Sequence, residues 1–333
     1  VLAVPWSASL GGSVPSPSFN VHDLLHPQDL AARQRLESIP GLQAAAKRYR
    51  SMIADRRDRA WLLSTAIRLG PRQVPDVYKL LPPVCEAFGI DEPELYLTSG
   101  SANALTYGHS RTCIVIQNDL LLELPEDEVQ AVLAHECAHI FAEHLLYRQM
   151  ALALFNGVGG IGSLGGRAGV FAAVLSEPLQ AALLDWFRKS ELTADRAAVA
   201  FMGGPEELQR ALFHLHGIPK WLPKDQISYA AFAAQADEFD DVMKEAKLDR
   251  FLLRQRDKQS THPNPALRLR EIQRWAESET LRQVLAIARD GGTAPADGDG
   301  ARACRRCGRT AGADWMFCQG CGEKLLESPE AGS

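Results

Sequence analysis

No charge of one sign dominates this sequence. It sets 36 Lys+Arg against 41 Asp+Glu over 333 residues, a net charge of −5, and its pI is about 6.0. That balance gives no support to nucleic acid or an anionic bilayer as the main partner. A disulfide framework is missing too. Of seven cysteines, four form two Cys-x-x-Cys pairs near the C-terminus, Cys304 with Cys307 and Cys318 with Cys321, while Cys85, Cys113 and Cys137 are scattered in apolar segments. An odd total with paired knuckles reads as metal ligands plus buried free thiols, which implies a reducing compartment and a cytoplasmic location. Residues 1–19 have neither the basic start nor the continuous apolar stretch of a secretory signal, and read as a flexible arm. The first residue is Val, as expected of a truncated or processed start. There is no repeat of solenoid period.

Long uninterrupted apolar runs are absent as well, with residues 150–175 coming nearest. This stretch is almost uncharged and long enough to cross a bilayer, but Asn156, Arg167 and seven glycines break it. A charge near the middle of a span costs about 3 kcal/mol. A buried helix–turn–helix or a loop over a site is therefore the favoured reading. A hairpin making peripheral membrane contact is the alternative.

What remains is ordinary globular composition, 46% hydrophobic and 23% charged. The length suffices for a sizeable core and one to three domains. Residues 289–302, rich in Gly, Ala, Asp and Pro, read as a linker. It divides a main domain, 20–288, from a small Cys-rich module, 303–325, which a disordered tail, 326–333, follows.

Helical patterns fill residues 28–69, and a helix over 76–88 is expected to bend at Pro82 and Pro83. Short β-rich runs at Glu94–Thr98, Ala104–Gly108 and Thr112–Gln117 predict a small, largely antiparallel sheet. Pro125 followed by Glu126, Asp127 and Glu128 marks a helix start, with the helix expected to run to about Tyr147. Further helices are expected over Glu177–Met202, from Pro205, and from about Asn264-Pro265, the last with Leu267, Leu269, Ile272 and Trp275 as core candidates. The fold class is α+β, mainly helical.

The chemistry lies first in His135-Glu-Cys-Ala-His139. On a helix, positions i and i+4 share one face, so both imidazoles can grip one Zn²⁺ at ~2.1 Å. Glu136, one residue round the helix, can reach a metal-bound water rather than the metal, the arrangement of a zinc hydrolase. Val129, Val132, Leu133, Ile140 and Phe141 give this helix a buried surface. A catalytic zinc needs a third protein ligand. His144, His214, His216, His262 and the acidic residues are candidates, and Glu191 in Ser190-Glu-Leu-Thr-Ala-Asp195 is the best. Asp195, one turn later, could hold the outer nitrogen of a ligand histidine. A solvated face pairing both acids with Arg188 or Arg196 is the competing interpretation. His144 reads as a supporting or surface residue rather than a ligand.

The ordered set His135-Glu136-Cys137-Ala138-His139, Glu191-Leu-Thr-Ala-Asp195 and Thr261-His262-Pro263 with Arg268 resembles the HtpX/CAAX-prenyl-protease family of zinc peptidases, which are gluzincins. Asn103-Ala104-Leu105-Thr106-Tyr107-Gly108 and Asp127–Val132 add to the resemblance, which covers about residues 75–275. It implies a zincin-type domain with zinc held by His135, His139 and Glu191. Glu136 would be the general base and His262 the oxyanion donor. Asp195 and Arg268 would lend support, Arg268 to His262 or to the carboxylates. The strand over Asn103, Ala104, Leu105 and Thr106 would be the edge on which a protein or peptide substrate adds. The clear membrane spans of that family are lacking here, so a quality-control or processing endopeptidase fits better than prenyl-peptide processing.

Cys304-Arg-Arg-Cys307-Gly308 and Cys318-Gln-Gly-Cys321-Gly322 form two knuckles suited to a tetrahedral structural zinc, with Trp315 and Phe317 as shields. The module resembles a zinc ribbon and is too small to fold without metal. Arg302, Arg305, Arg306 and Arg309 cluster in it, yet a protein partner is favoured over nucleic acid. The leading expectation is thus a zinc metalloendopeptidase with one catalytic and one structural Zn²⁺. The alternative is a catalytically silent, zinc-stabilised scaffold that acts through its ribbon.

Overall fold

The computed structural model describes residues 18–52, 55–108, 111–155, 175–219, 221–245, 264–289, 302–303 and 310–311. Most of the 150–175 segment, His262 and all four knuckle cysteines lie outside them.

The described residues open with helices α1 (Val21–Leu24), α2 (Pro27–Ser38), α3 (Leu42–Met52) and α4 (Asp55–Thr65). A short strand β1 (Ile67–Arg68) follows, then α5 (Pro75–Tyr78) and α6 (Leu81–Phe88). The expected bent helix over 76–88 is thus two helices. Pro82 and Pro83 sit in the first turn of α6, where a missing N–H costs nothing. Strands β2 (Glu94–Thr98), β3 (Ala104–Tyr107) and β4 (Cys113–Gln117) lead to α7 (Asn118–Glu123) and α8 (Glu126–Phe141).

The sheet runs β1-β2-β4-β3. It is mixed rather than largely antiparallel: β1 with β2 and β3 with β4 are antiparallel, but the central β2–β4 pairing is parallel, with Tyr96 opposite Val115. After β2 the chain crosses to the far edge, forms β3 there, and returns between them as β4. Alternation along β4 then serves two layers. Ile114 and Ile116 enter the main core, while Cys113 and Val115 meet Leu62 of α4 and Tyr96 on the other face.

Helix α8 follows Pro125 and carries Glu126, Asp127 and Glu128 in its first turn, where acids meet the positive end of the dipole. It ends earlier than the sequence suggests. Glu143 takes a left-handed φ of 56°, and a new helix α9 (Leu145–Phe155) begins. The turn returns the backbone N–H of His144 to the carbonyl of His139 at 2.9 Å.

Helix α10 (Glu177–Met202) has the expected bounds, with Pro178 in its first turn and Gly203 left-handed at its end (φ 77°). Helices α11 (Glu206–Leu215), α12 (Tyr229–Glu245), α13 (Pro265–Ala276) and α14 (Glu279–Arg289) follow among the described residues. Asn264 caps α13, accepting from the backbone N–H of Ala266 at 2.9 Å. Leu269, Ile272 and Trp275 are buried as expected, while Leu267 is half-buried. A two-residue pair, β5 (Arg302–Ala303) with β6 (Thr310–Ala311), is antiparallel.

The main core packs α6, one face of the sheet, α8, the second half of α10, α11 and α13. A second core joins α2, α3 and α9 to the first half of α10 through Leu36, Tyr49, Met150, Leu183, Trp186 and Phe187. Each fully buried Leu or Phe contributes about 1.5–3 kcal/mol. Helix α10 therefore spans both cores, and its middle is fixed by packing at each end. No helix among the described residues is long and apolar enough to cross a membrane.

Candidate active site

The middle of α8 crosses the middle of α10. His135, Glu136 and His139 on α8, and Glu191 and Asp195 on α10, are all buried. The helical i, i+4 spacing puts His135 beside His139, their rings 4.9 Å apart and at 89° to one another. Nε2 of His135 lies 3.4 Å from Glu191 Oε2, and Nε2 of His139 lies 3.5 Å from Glu191 Oε1. One donor atom from each of the three residues falls within 4.8 Å of the others.

The surrounding charges define this cluster further. Asp195 Oδ1 sits 3.0 Å from His135 Nδ1. Arg268 of α13 donates to both oxygens of Asp195, at 2.8 and 2.6 Å. Burial alone would favour neutral His135, but Asp195 and Glu191 outweigh it and raise its pKa to about 9. His139 moves the other way. Burial and the Arg148 guanidinium hold its pKa well below the usual histidine value. Burial would raise the pKa of Asp195, but Arg268 and His135 bring it down, so it stays a carboxylate.

Glu136 sits one residue further round α8 from His135, between the cluster and β3. There Thr106 of β3 donates its hydroxyl to Glu136 Oε2 at 2.6 Å. Asn103 precedes β3 and accepts from the Gln117 N–H at 2.9 Å. Ala104 is buried like Thr106, and Leu105 is half-buried on the opposite face. In the sheet order β3 is an edge, paired with β4 on one side. His214 is remote from this cluster: its Nδ1 meets Glu128 Oε2 at 2.6 Å, at the start of α8.

Three residues near the cluster carry no signal in the local sequence. Arg148 of α9 is buried, donates to Glu191 Oε1 and to Ser190 Oγ, and lies 4.6 Å over the Phe187 ring. Asp29 of α2 and Thr193 of α10 are buried and bonded to each other. His144, whose role the sequence leaves open, is fully buried, with its Nδ1 3.0 Å from His139 Nδ1.

The donor set fits a divalent metal. The buried Nε2 of His139 has no hydrogen-bond partner among the described residues, although an orphaned buried polar atom is costly. Two imidazoles and a carboxylate on two facing helices are chemistry that zinc favours. The Asp195 carboxylate, 3.0 Å from Nδ1 of His135, is the kind of group expected behind a ligand histidine.

Comparison with known proteins agrees with this geometry. The model of peptidase family M48 matches residues 71–276. The chain is 29% identical over 266 residues to plastoglobule-localized metallopeptidase 48, chloroplastic, of Arabidopsis thaliana, covering 79% of this chain and 75% of that protein. It is 27% identical over 174 residues to a protease HtpX homolog of Trichormus variabilis, covering 45% of this chain and 60% of the relative. An HtpX homolog of Acidiphilium cryptum is 30% identical over 174 residues, covering 46% and 59%. The chain thus spans about three fifths of the length of these HtpX homologs. No solved structure matches it. With more than half of its length matched, and with that match enclosing both crossing helices, the chain belongs to peptidase family M48 as an HtpX-like metallopeptidase.

Proposed function

We propose that the chain is a zinc-dependent endopeptidase in which His135, His139 and Glu191 hold the metal and Glu136 moves the proton. The observation that carries this reading is the convergence of those three side chains within 4.8 Å, beside a carboxylate that they do not use. When bound, zinc supplies a Lewis acid that polarises the scissile carbonyl and makes water a better nucleophile. Thr106 occupies Oε2 of Glu136, leaving Oε1 to take the proton of the attacking water. The water oxygen bonds to the carbonyl carbon, Glu136 passes the proton to the departing nitrogen, and the C–N bond breaks. Asp195, locked by Arg268, keeps His135 in the orientation that turns Nε2 toward the centre. An extended substrate adds along β3, the strand that also sets Glu136.

His262 lies outside the described residues, and its oxyanion role rests on the resemblance alone. The knuckles at Cys304, Cys307, Cys318 and Cys321 also lie outside them. Their cysteine spacing supports a structural zinc with a protein-docking task. A cytoplasmic location completes the proposal, with peripheral membrane contact through 150–175 as the alternative to a buried hairpin or a loop over the site.

Digestion of an unfolded protein such as casein by the full chain tests the activity. Cleavage should stop with a chelator and return with added zinc. Cleavage that persists through exhaustive chelation would refute the metal-dependent reading.

A further inference from the structure

Helix α2 lies outside the stretch that matches the family model, yet it reaches the metal centre. Its Asp29 is buried, and Oδ2 lies 3.2 Å from Nε2 of His144. Nδ1 of His144 lies 3.0 Å from Nδ1 of His139. Two facing ring nitrogens can share only one proton. If Nε2 of His139 is to offer a lone pair to a metal, the proton sits on its Nδ1, which donates to His144. His144 must then carry its own proton on Nε2, which lies within ion-pair distance of Asp29 but outside hydrogen-bond geometry. Each proton position in this line follows from the next residue outward.

The line is held firmly. The left-handed turn at Glu143 brings His144 back beneath His139, and Trp186 packs edge-on against the His144 ring at 5.5 Å. Thr193 of α10 donates to Asp29 Oδ2 at 2.5 Å and accepts the backbone N–H of His26 at 3.0 Å. Arg196 donates to the carbonyl of Leu25 at 3.0 Å. The helix that carries Glu191 and Asp195 therefore also grips the segment that carries Asp29.

We infer that Asp29 and His144 are positioning residues for the metal ligand His139, so that the N-terminal helix α2 completes the centre from outside the family core. This rests on the proposed metal site. The negative charge of Asp29 makes His144 a better acceptor and His139 a stronger ligand. Removing such an outer partner typically weakens metal binding by about 10–100-fold.

The test is zinc affinity of the full chain, measured by competition with a chromophoric chelator and read at the site that His139→Ala abolishes. Asp29→Asn should weaken that site by about 10–100-fold. Thr193→Val, which removes only the hydroxyl that orients Asp29, should weaken it several-fold and covers the case in which Asp29→Asn does not fold. The double variant Asp29→Asn with His144→Leu should bind no more weakly than His144→Leu alone, because the two act in series. Leu36→Ala loosens the same helix at a fully buried position and should leave the affinity within about twofold of the parent. Equal weakening by Leu36→Ala, or losses that multiply in the double variant, would overturn the relay. If His139→Ala removes the site while Asp29→Asn and Thr193→Val bind like the parent, the relay alone falls. If His139→Ala leaves zinc binding intact, the metal site falls and the relay with it.

Discussion

The guanidinium of Arg268 and the carboxylate of Asp195, on helices 73 residues apart in sequence, face each other through two parallel hydrogen bonds of 2.8 and 2.6 Å. Both groups are buried. Arg268 Nη1 also lies 3.8 Å from Glu191 Oε2, so α13 neutralises charge that α10 brings to the centre. A fork of this kind binds with direction as well as charge.

Removing that fork should be costly. Arg268→Met strips the buried carboxylate of Asp195 of its guanidinium partner, leaving only His135 beside it, and should destabilise the fold by about 3–5 kcal/mol. Arg268→Lys should recover part of this, since an ammonium cannot bond both oxygens in one plane. Urea unfolding midpoints of the three proteins measure both effects.

Glu136→Gln keeps the size of the side chain and the ligands on either side. It should retain zinc and lower kcat by about 10²–10⁴-fold. Metal content by mass spectrometry and turnover of a quenched peptide check the pair of outcomes. Undiminished turnover would sink the assigned proton carrier.

Thr106→Val is the same size but cannot donate to Glu136. A hydrogen bond to a charged acceptor contributes about 1.5–3 kcal/mol, so kcat should fall about ten- to a hundredfold while zinc content stays unchanged. A change confined to KM would instead assign Thr106 to substrate binding alone.

Away from the centre, Glu94 accepts hydrogen bonds from Arg59 and from the Tyr96 hydroxyl at 2.8 Å each. Burial pushes its pKa up, but Arg59 and Tyr96 outweigh it and hold the pKa below the ordinary value of 4.5. A depressed carboxylate pKa gives stability that is full above the unfolded-state value and is lost as pH falls through the folded one. The Tm gap between the parent and Glu94→Gln should therefore be constant near neutral pH and narrow below about pH 4. A gap that widens in acid would show the opposite sign.

Much of the centre was legible because helix geometry is short-ranged. Spacing alone puts His135 with His139 and Glu191 with Asp195, and Pro178 and Gly203 bracket α10 in plain view. The end of α8 was not legible. Glu143 takes a glycine-like φ without being glycine, and nothing local announces it. The parallel β2–β4 pairing was hidden because it depends on which edge the chain crosses to, not on strand composition. Asp29 and Arg148 were hidden by distance. Asp29 meets Thr193 across 164 residues, and Arg148 looks like any helical cation until its burial against Glu191 is seen.

The brevity of β3 has a consequence for selection. Its four residues, Ala104–Tyr107, offer a run of roughly 13 Å along the strand. A substrate that adds along β3 as proposed would be recognised over a very short window, mostly by main-chain atoms common to every polypeptide. Little discrimination by side-chain identity can arise from so brief a contact. What such a ledge does discriminate is conformation. A natively folded target has its amides and carbonyls already engaged, whereas a slack, unravelled one presents them free, so docking of the proposed kind would prefer whatever has lost its shape.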